Sequence, residues 1–97
     1  MVVGVCRVGL MLPGCSSLKE KRSIVKRILG RVRAKFNVAG AEVGYQDIRD
    51  RARLGFAAVG SDRDLLRNVL EKLVDFIEAQ YLGEVIEEDF EVENYGG

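Results

Sequence analysis

Two kinds of hydrophobic periodicity alternate along the chain, and their order limits the folds that it can adopt. Two segments alternate apolar and other side chains as β-strands do, two repeat apolar side chains at helical spacing, and two have weaker strand patterns. In chain order these segments are residues 2–12 (strand), 18–36 (helix), 37–45 (weak strand), 52–59 (strand), 62–81 (helix) and 84–93 (weak strand). The order predicts an α+β fold, the ferredoxin-like βαββαβ sandwich, in which a four-stranded antiparallel sheet carries two helices on one face. Right-handed crossovers place the first and third strands at its centre.

The length of 97 residues fits one domain over residues 1–97, because domains typically span roughly 100–150 residues. Apolar residues make up 47% of the chain and charged residues 31%, which indicates a globular protein rather than a disordered or membrane protein. The longest apolar run, residues 2–6, is far shorter than the roughly 18 residues that a membrane helix needs. Without a signal-peptide pattern either, we expect a cytoplasmic protein with no membrane partner.

The residue types that usually carry catalysis and metal binding are scarce. The chain has no His, which removes the commonest acid-base group and every Ser-His or Cys-His nucleophile pair. Its two cysteines, Cys6 and Cys15, lack a C-x-x-C spacing or a His partner for zinc. We therefore predict no catalytic residue, no metal site and no cofactor. Cys6 falls on the helix-facing side of the first strand, where it is expected to serve packing.

Each helix pattern begins with a capping box. Ser17 and Glu20 form the first, in which Ser17 accepts from the third helical N–H and Glu20 reaches back. Ser61 and Asp64 offer the second. The first helix should therefore begin at Leu18. Its buried stripe is expected to comprise Leu18, Val25, Ile28, Leu29, Val32 and Phe36.

The formal net charge of zero conceals a separation of charge along the chain. Residues 1–36 hold nine basic side chains and one acidic, a net +8, and residues 37–97 balance them with −8. Four cations project along one flank of the first helix: Lys19, Arg22, Lys26 and Arg33. Gly30 lies among them, where a glycine costs roughly 1 kcal/mol relative to alanine. The flank is either a solvated face neutralised by the acids of residues 84–93 or a surface that contacts nucleic-acid phosphates.

The segment before the first helix offers a second place for an anion. Residues 13–17, P-G-C-S-S, would bring backbone N–H groups and serine hydroxyls near Lys19 and Arg22. The simpler interpretation is that Gly14 permits the turn and Ser17 only caps the helix. The glycine and lysine spacings of a Walker A loop or a dinucleotide motif are absent.

The sheet face away from the helices is predicted to carry small apolar side chains. RNA-recognition motifs of this fold stack bases on aromatic residues of the two central strands, and the corresponding positions hold none here. Small apolar residues favour burial against a second sheet or another protein, which makes a homodimer through this face a hypothesis. Its interface candidates are Val3, Val5, Met11, Ala57 and Val59.

Five short segments, taken in order, form a recognisable signature. They are S-L-K-E-K-R at 17–22, F-N-V at 36–38, A-E-V-G at 41–44, Q-D at 46–47 and L-G at 54–55. Their order and spacing resemble the YlxP-like family of small bacterial proteins over nearly the whole chain. The resemblance implies a ferredoxin-like fold, no established activity and no catalytic residues to transfer. Genes of that family often lie near those of translation initiation factor two and ribosome-binding factor A, which implies ribosome or RNA biology. Tyr45 departs from the acidic or polar residue of the family at that position.

We predict a non-enzymatic RNA- or ribosome-associated binding protein whose first helix contacts the phosphates of structured RNA. The nucleic-acid-binding candidates are Ser17, Lys19, Lys21, Arg22, Lys26 and Arg33. The alternative is a protein-interaction or dimerisation module that uses the open sheet face. A third class is a small phosphate-handling enzyme based on the helix-start anion site, but the chain lacks an acid-base set for it.

Overall fold

Four strands and two helices form a two-layer sandwich in the computed structural model, which describes residues 1–96. In chain order they are β1 (Val2–Met11), α1 (Leu18–Lys35), β2 (Ala39–Gly44), β3 (Arg51–Gly60), α2 (Arg63–Ala79) and β4 (Glu84–Asn94). All strand pairs are antiparallel and the strand order is β2-β3-β1-β4, so β1 and β3 lie at the centre. The predicted ferredoxin-like α+β architecture is confirmed.

The alternation of β1 decides which face of the sheet is buried. Cys6, Val8 and Leu10 are almost inaccessible and belong to the core between the sheet and the helices. Their register partners on β3 lie in the same core, with Phe56 opposite Cys6 and Leu54 opposite Val8. The period of two therefore gives the sheet one buried face and one open face.

Strand β2 is shorter than its sequence pattern indicated and contains an irregularity. It begins at Ala39 and ends at Gly44. Its register with β3 shifts between Glu42 and Gly44, as expected for a glycine-rich strand with a bulge. Val43 is the extra residue, and its side chain packs over Gly55 on the open face.

The start of α1 is confirmed at the predicted cap. Ser17 Oγ accepts a hydrogen bond from the Glu20 N–H at 3.1 Å. The Glu20 carboxylate reaches one residue further back than in a standard capping box, because it accepts from the N–H and the hydroxyl of Ser16.

Helix α2 has a different cap from the predicted Ser61, and that prediction is wrong. Asp62 takes the N-cap position, and its carboxylate accepts from the Leu65 N–H at 3.0 Å. Ser and Asp cap helices about equally well, so two adjacent cap residues leave the first turn ambiguous by one position.

The two helices cover different strands. α1 packs against β2 and α2, whereas α2 packs against β4, β1 and β3. The acidic strand β4 therefore lies beneath α2, and α1 lies toward the opposite edge of the sheet. Within residues 1–96, neither helix combines the length and the apolar character that crossing a bilayer requires.

Candidate nucleic-acid interface

The predicted basic flank of α1 is exposed, and most of its cations have no acidic partner. Lys19, Arg22 and Lys26 are exposed, and within residues 1–96 no carboxylate lies at ion-pair distance from their charged groups. Arg33 is also exposed, but its Nη2 donates to the backbone oxygen of Gly40 at 2.7 Å. We call Lys19, Arg22, Lys26 and Arg33 the basic stripe. Cations without an acidic neighbour present their positive potential to any anionic ligand.

Lys21 is the exception among the predicted nucleic-acid contacts, because the structure buries it. Its side chain is 1% exposed. Its ammonium donates to the backbone oxygens of Tyr45 at 2.7 Å, Gln46 at 3.0 Å and Arg51 at 3.2 Å. An ammonium has three N–H donors, so all of them are occupied. The prediction that Lys21 contacts phosphate is therefore wrong.

Glu42 on β2 balances the buried charge of Lys21. Its Oε2 is buried 3.0 Å from the Lys21 Nζ and, among the described residues, has no other polar partner. Glu42 precedes the β2–β3 connection and Arg51 begins β3. The ammonium thus ties α1 to both ends of that connection, which is a structural role.

The acids of β4 pair with arginines on the open face of the sheet. Arg7 Nε lies 3.1 Å from Asp89 Oδ2, and its Nη2 lies 3.4 Å from Glu91 Oε1. Arg53 Nη2 lies 2.7 Å from Glu87 Oε1. Among the described residues, the ion pairs of β4 therefore go to the two central strands and none goes to α1. Direct neutralisation of the basic flank by β4 does not occur in this structure.

Tyr45 joins the second of these pairs in a small polar cluster. Its hydroxyl lies 3.2 Å from Arg53 Nη2 and 3.3 Å from Glu87 Oε1, and the guanidinium lies 4.9 Å from the ring centre. Hydrogen bonding from Arg53 holds the pKa of Glu87 below its usual range, and Glu87 in turn raises the pKa of Arg53. Both groups stay charged near neutral pH, so the cluster offers no acid-base pair.

The other flank of α1 carries Arg27, Arg31 and Lys35 and faces the C-terminal end of α2. Arg31 Nη1 donates to Gln80 Oε1 at 2.6 Å, and Lys35 Nζ lies 4.7 Å from the ring centre of Phe76. Arg27 is exposed, and within the described part of the chain its side chain has neither a hydrogen bond nor an ion pair. The fold thus uses Arg31 and Lys35 and leaves Arg27 to solvent.

The start of α1 already holds an acidic side chain. The Ser17 hydroxyl, a predicted nucleic-acid contact, accepts from the Glu20 N–H and so acts as a cap. The two hydrogen bonds from Ser16, the backbone N–H first, lower the pKa of Glu20. A carboxylate in the first turn complements the helix dipole, so the helix start by itself carries no anion site.

Both cysteines are buried in the core. Burial is the main cause that raises the pKa of Cys6 to about 12, so its thiol stays protonated at neutral pH. Among residues 1–96, no three His, Cys, Asp or Glu side chains are grouped so that they could hold a metal ion.

The predicted interface residues lie on the open face but differ in exposure. Val59 is 65% exposed and Ala57 is exposed, whereas Val3, Val5 and Met11 are half-buried. The sequence pattern missed a further member of this surface, Val43. The bulge in β2 brings Val43 over a shallow apolar depression, and its side chain remains 52% exposed.

Comparison of the sequence with known proteins places this chain in a family. Residues 3–90 match the family described as "Protein of unknown function (DUF503)". The chain belongs to the DUF503 family. The "Uncharacterized protein YlxP" of Bacillus subtilis (strain 168) is 41% identical over 78 residues, which cover 80% of this chain and 85% of that protein. The resemblance to the YlxP-like family is confirmed.

Solved structures share the fold at low sequence identity. The structural-genomics protein YJCS has a TM-score of 0.50 at 11% identity, covering 97% of this chain and 99% of that chain. The protein At3g17210 from Arabidopsis thaliana has a TM-score of 0.50 at 10% identity, covering 98% and 96% of the two chains. At this identity the likeness concerns the fold alone.

Three of the segments that carry the family resemblance meet at the buried ammonium. Lys21 belongs to S-L-K-E-K-R, Glu42 to A-E-V-G, and Gln46 begins Q-D. In this chain, these parts of the signature hold the β2–β3 connection against α1. The basic stripe, in contrast, forms no ion pair within residues 1–96, and only its Arg33 hydrogen-bonds to another element, at Gly40.

Proposed function

We propose that this protein is a non-enzymatic RNA-binding protein that contacts the phosphates of structured RNA through the basic stripe of α1. The observation that carries the proposal is that Lys19, Arg22 and Lys26 are exposed and, within residues 1–96, have no acidic partner, in a chain of zero net charge. Lys and Arg side chains in that state gain free energy from counterion release along a nucleic acid.

The separation of charge in space supports this proposal. Residues 18–35 hold eight basic side chains and one acid. The ion-paired acids of β4 lie on the open side of the sheet, next to Arg7 and Arg53. The Debye length at physiological ionic strength is about 8 Å, so acids across the sheet do little to cancel the field above α1.

Gly30 supplies a second supporting observation. It lies in the middle of α1, it is exposed, and apart from the neighbouring helix backbone a Cβ added there would meet no atom of residues 1–96 within 4 Å. Packing therefore gives no reason for a glycine that costs roughly 1 kcal/mol relative to alanine. Because Gly30 has no side chain, the helix backbone is accessible at that point between Lys26 and Arg33. This suits close approach by a phosphodiester chain.

The length of the stripe defines what it can recognise. From Lys19 to Arg33 the helix rises by about 21 Å at about 1.5 Å per residue, which spans several phosphates. Contacts of this kind fix the position of the protein and carry no sequence information. We therefore expect similar affinity for unrelated RNAs of similar shape.

Charge reversal with a matched control tests the proposal. The test variant is K19E/R22E/K26E. The control variant, R51E/R63E/K72E, makes the same change in net charge at exposed cations outside α1 whose side chains form no ion pair within residues 1–96. Affinity is measured by fluorescence anisotropy for two hairpin RNAs of unrelated sequence.

The stripe variant should lose affinity for both hairpins by on the order of 100-fold. The control should stay within about threefold of the unmodified protein, because distant charges are screened. Equal losses in the two variants would show that only net charge matters, and unchanged affinity in the stripe variant would remove α1 from the interface.

The half of the open sheet face that carries Val43, Ala57 and Val59 is apolar. It supports a second candidate function, face-to-face association of two copies. Val59 and Val43 are large exposed apolar side chains on this half, next to Ala57. A two-fold axis perpendicular to the strands would place this half of one copy on the same half of the other. The same axis would place the two acidic β4 edges opposite each other, so like charges oppose the association.

Sedimentation velocity at several salt concentrations tests self-association. Screening of the β4 charges should strengthen association as salt rises, whereas RNA binding should weaken. V59E should abolish it, and V69E, which changes a valine on the exposed side of α2, should leave it intact. A chain that is monomeric at micromolar concentration in high salt would exclude this candidate.

A further inference from the structure

Tyr81 is far more exposed than an aromatic side chain of a folded domain usually is. It is 91% exposed, and among the described residues its hydroxyl has no hydrogen-bond partner. Its backbone lies in the left-handed region, with φ 55°, where glycine is usual and a bulky residue is strained. Folding thus gains little from an aromatic residue here, and strain of this kind is more common at functional positions.

The neighbours of Tyr81 hold it beside α1. Gln80 accepts the hydrogen bond from Arg31 on α1 at 2.6 Å, and Leu82 packs against the core. The Tyr81 N–H donates to the Glu78 oxygen at 3.2 Å, which closes the last turn of α2. The Tyr81 ring therefore belongs to a turn whose position is held by these contacts with α1, the core and α2.

A groove runs between Tyr81 and the first three turns of α1. It has a volume of about 590 Å³, within the usual range of sites for small organic groups. It is lined by Lys19 and Arg27, two cations that form no ion pair in the described part of the chain, and by the hydroxyl-bearing Ser17 and Ser23. Lys19 also begins the basic stripe, so the groove and the stripe form one continuous surface.

One acid also lines the groove. Glu20 is charged, but its Oε2 accepts two hydrogen bonds from Ser16, which hold the carboxylate at the helix start. A phosphate would therefore be bound at Lys19 and Arg27, away from that oxygen. An aromatic ring with cations beside it is the combination that proteins use for single-stranded RNA.

We infer that this groove binds an unpaired nucleotide of RNA, with the base stacked on Tyr81 and the adjoining phosphates on Lys19 and Arg27. The inference rests on the proposed RNA binding. It adds a preference for RNA in which an unpaired nucleotide adjoins a base-paired RNA helix. The open sheet face, where this fold often stacks bases, has no aromatic side chain on its central strands. Tyr81 supplies the ring on the other side of the molecule.

The test compares a single-stranded oligouridine with a fully paired RNA duplex as probes. The variants are Y81A, Y81F and, as the matched control, Y95A, because Tyr95 is 54% exposed and does not line the groove. Thermal unfolding by circular dichroism should give the same midpoint for Y81A and Y95A, since both side chains are exposed.

Y81A should weaken oligouridine binding by about 5- to 150-fold, the range for loss of one stacked base. Y81F should retain binding, because phenylalanine keeps the ring, and Y95A should be unchanged. All three should bind the duplex equally. Photocrosslinking with 5-iodouracil should attach the oligonucleotide to the peptide that contains Tyr81.

Equal oligouridine affinity in Y81A and Y95A would overturn the inference, as would failure of the unmodified protein to bind oligouridine. Neither result bears on the proposed function if the duplex still binds and K19E/R22E/K26E abolishes that binding. Loss of the stripe dependence would instead refute the proposed function, whatever the oligouridine result.

Discussion

The basic stripe of α1 and the open face of the sheet both carry cations, but those cations have different neighbours. On the sheet, Arg7 and Arg53 each lie within ion-pair distance of acids from β4. On α1, Lys19, Arg22 and Lys26 have no such neighbour within residues 1–96. The sheet arginines are paired locally, whereas residues 18–35 carry a net +7 that is balanced only by the excess of acids elsewhere in the chain.

This difference shows that the role of a charged residue depends on what lies within a few ångströms of it. Lys21 and Arg22 are adjacent in the sequence, yet one ammonium is buried among carbonyl oxygens and the other cation is exposed. Removing a cation that the fold uses should change stability, and removing a free one should change only binding.

The largest effect expected from this distinction is at Lys21. Lys21→Ala leaves Glu42 and three backbone oxygens without their cation, so the free energy of unfolding should fall by about 3–5 kcal/mol. Lys19→Ala should change it by no more than about 0.5 kcal/mol, because that side chain is exposed and forms no ion pair with any described residue. Urea unfolding followed by circular dichroism measures both. Similar losses of unfolding free energy in the two variants would show that the fold does not depend on Lys21 more than on Lys19.

A smaller change of opposite sign is expected at Gly30. Gly30→Ala should raise the free energy of unfolding by about 0.5–1 kcal/mol, which corresponds to a rise in Tm of several degrees for a domain of this size. The same variant should weaken hairpin RNA binding if phosphates approach the helix backbone there. Gly14→Ala is the control, and it should lower the Tm, because Gly14 has φ 78°. A rise in stability with no change in RNA affinity would remove Gly30 from the interface.

The smallest effect is expected on the sheet, at Arg53. The folded state lowers the pKa of Glu87, so the pair stabilises the fold above the ordinary carboxyl pKa of 4.5 and loses that contribution as pH falls through the folded value. The difference in Tm between the protein and R53Q should therefore be constant from neutral pH to about 4.5 and shrink below it. RNA affinity at neutral pH should not change in R53Q. A loss of affinity equal to that of K26Q would show that the sheet face also binds RNA.

Most of the fold follows from short-range sequence signals. Alternation in residues 2–12 fixed the buried face of β1, and Ser17 with Glu20 marked the first turn of α1. The errors arose where neighbouring residues were chemically equivalent, as with Ser61 and Asp62 at the start of α2. No local pattern distinguishes two good caps in succession.

The candidate site was less accessible to sequence reasoning, because it depends on contacts between distant segments. Lys21 lies one helical turn before Val25 on the apolar stripe, and that spacing was the available signal for its burial. Its partner Glu42 belongs to another element, so the pairing required the tertiary structure. The same holds for Tyr81, whose proximity to α1 depends on how the turn after α2 is anchored.

The salt dependence of RNA affinity tests the central claim most directly. The logarithm of the association constant for a hairpin RNA is plotted against the logarithm of salt concentration for the unmodified protein and for K19A/R22A/K26A. If these three cations contact phosphates, the slope should become shallower by roughly 2–3, since each contact contributes about 0.7–0.9. Identical slopes for the two proteins would contradict the claim that α1 is the phosphate-binding surface.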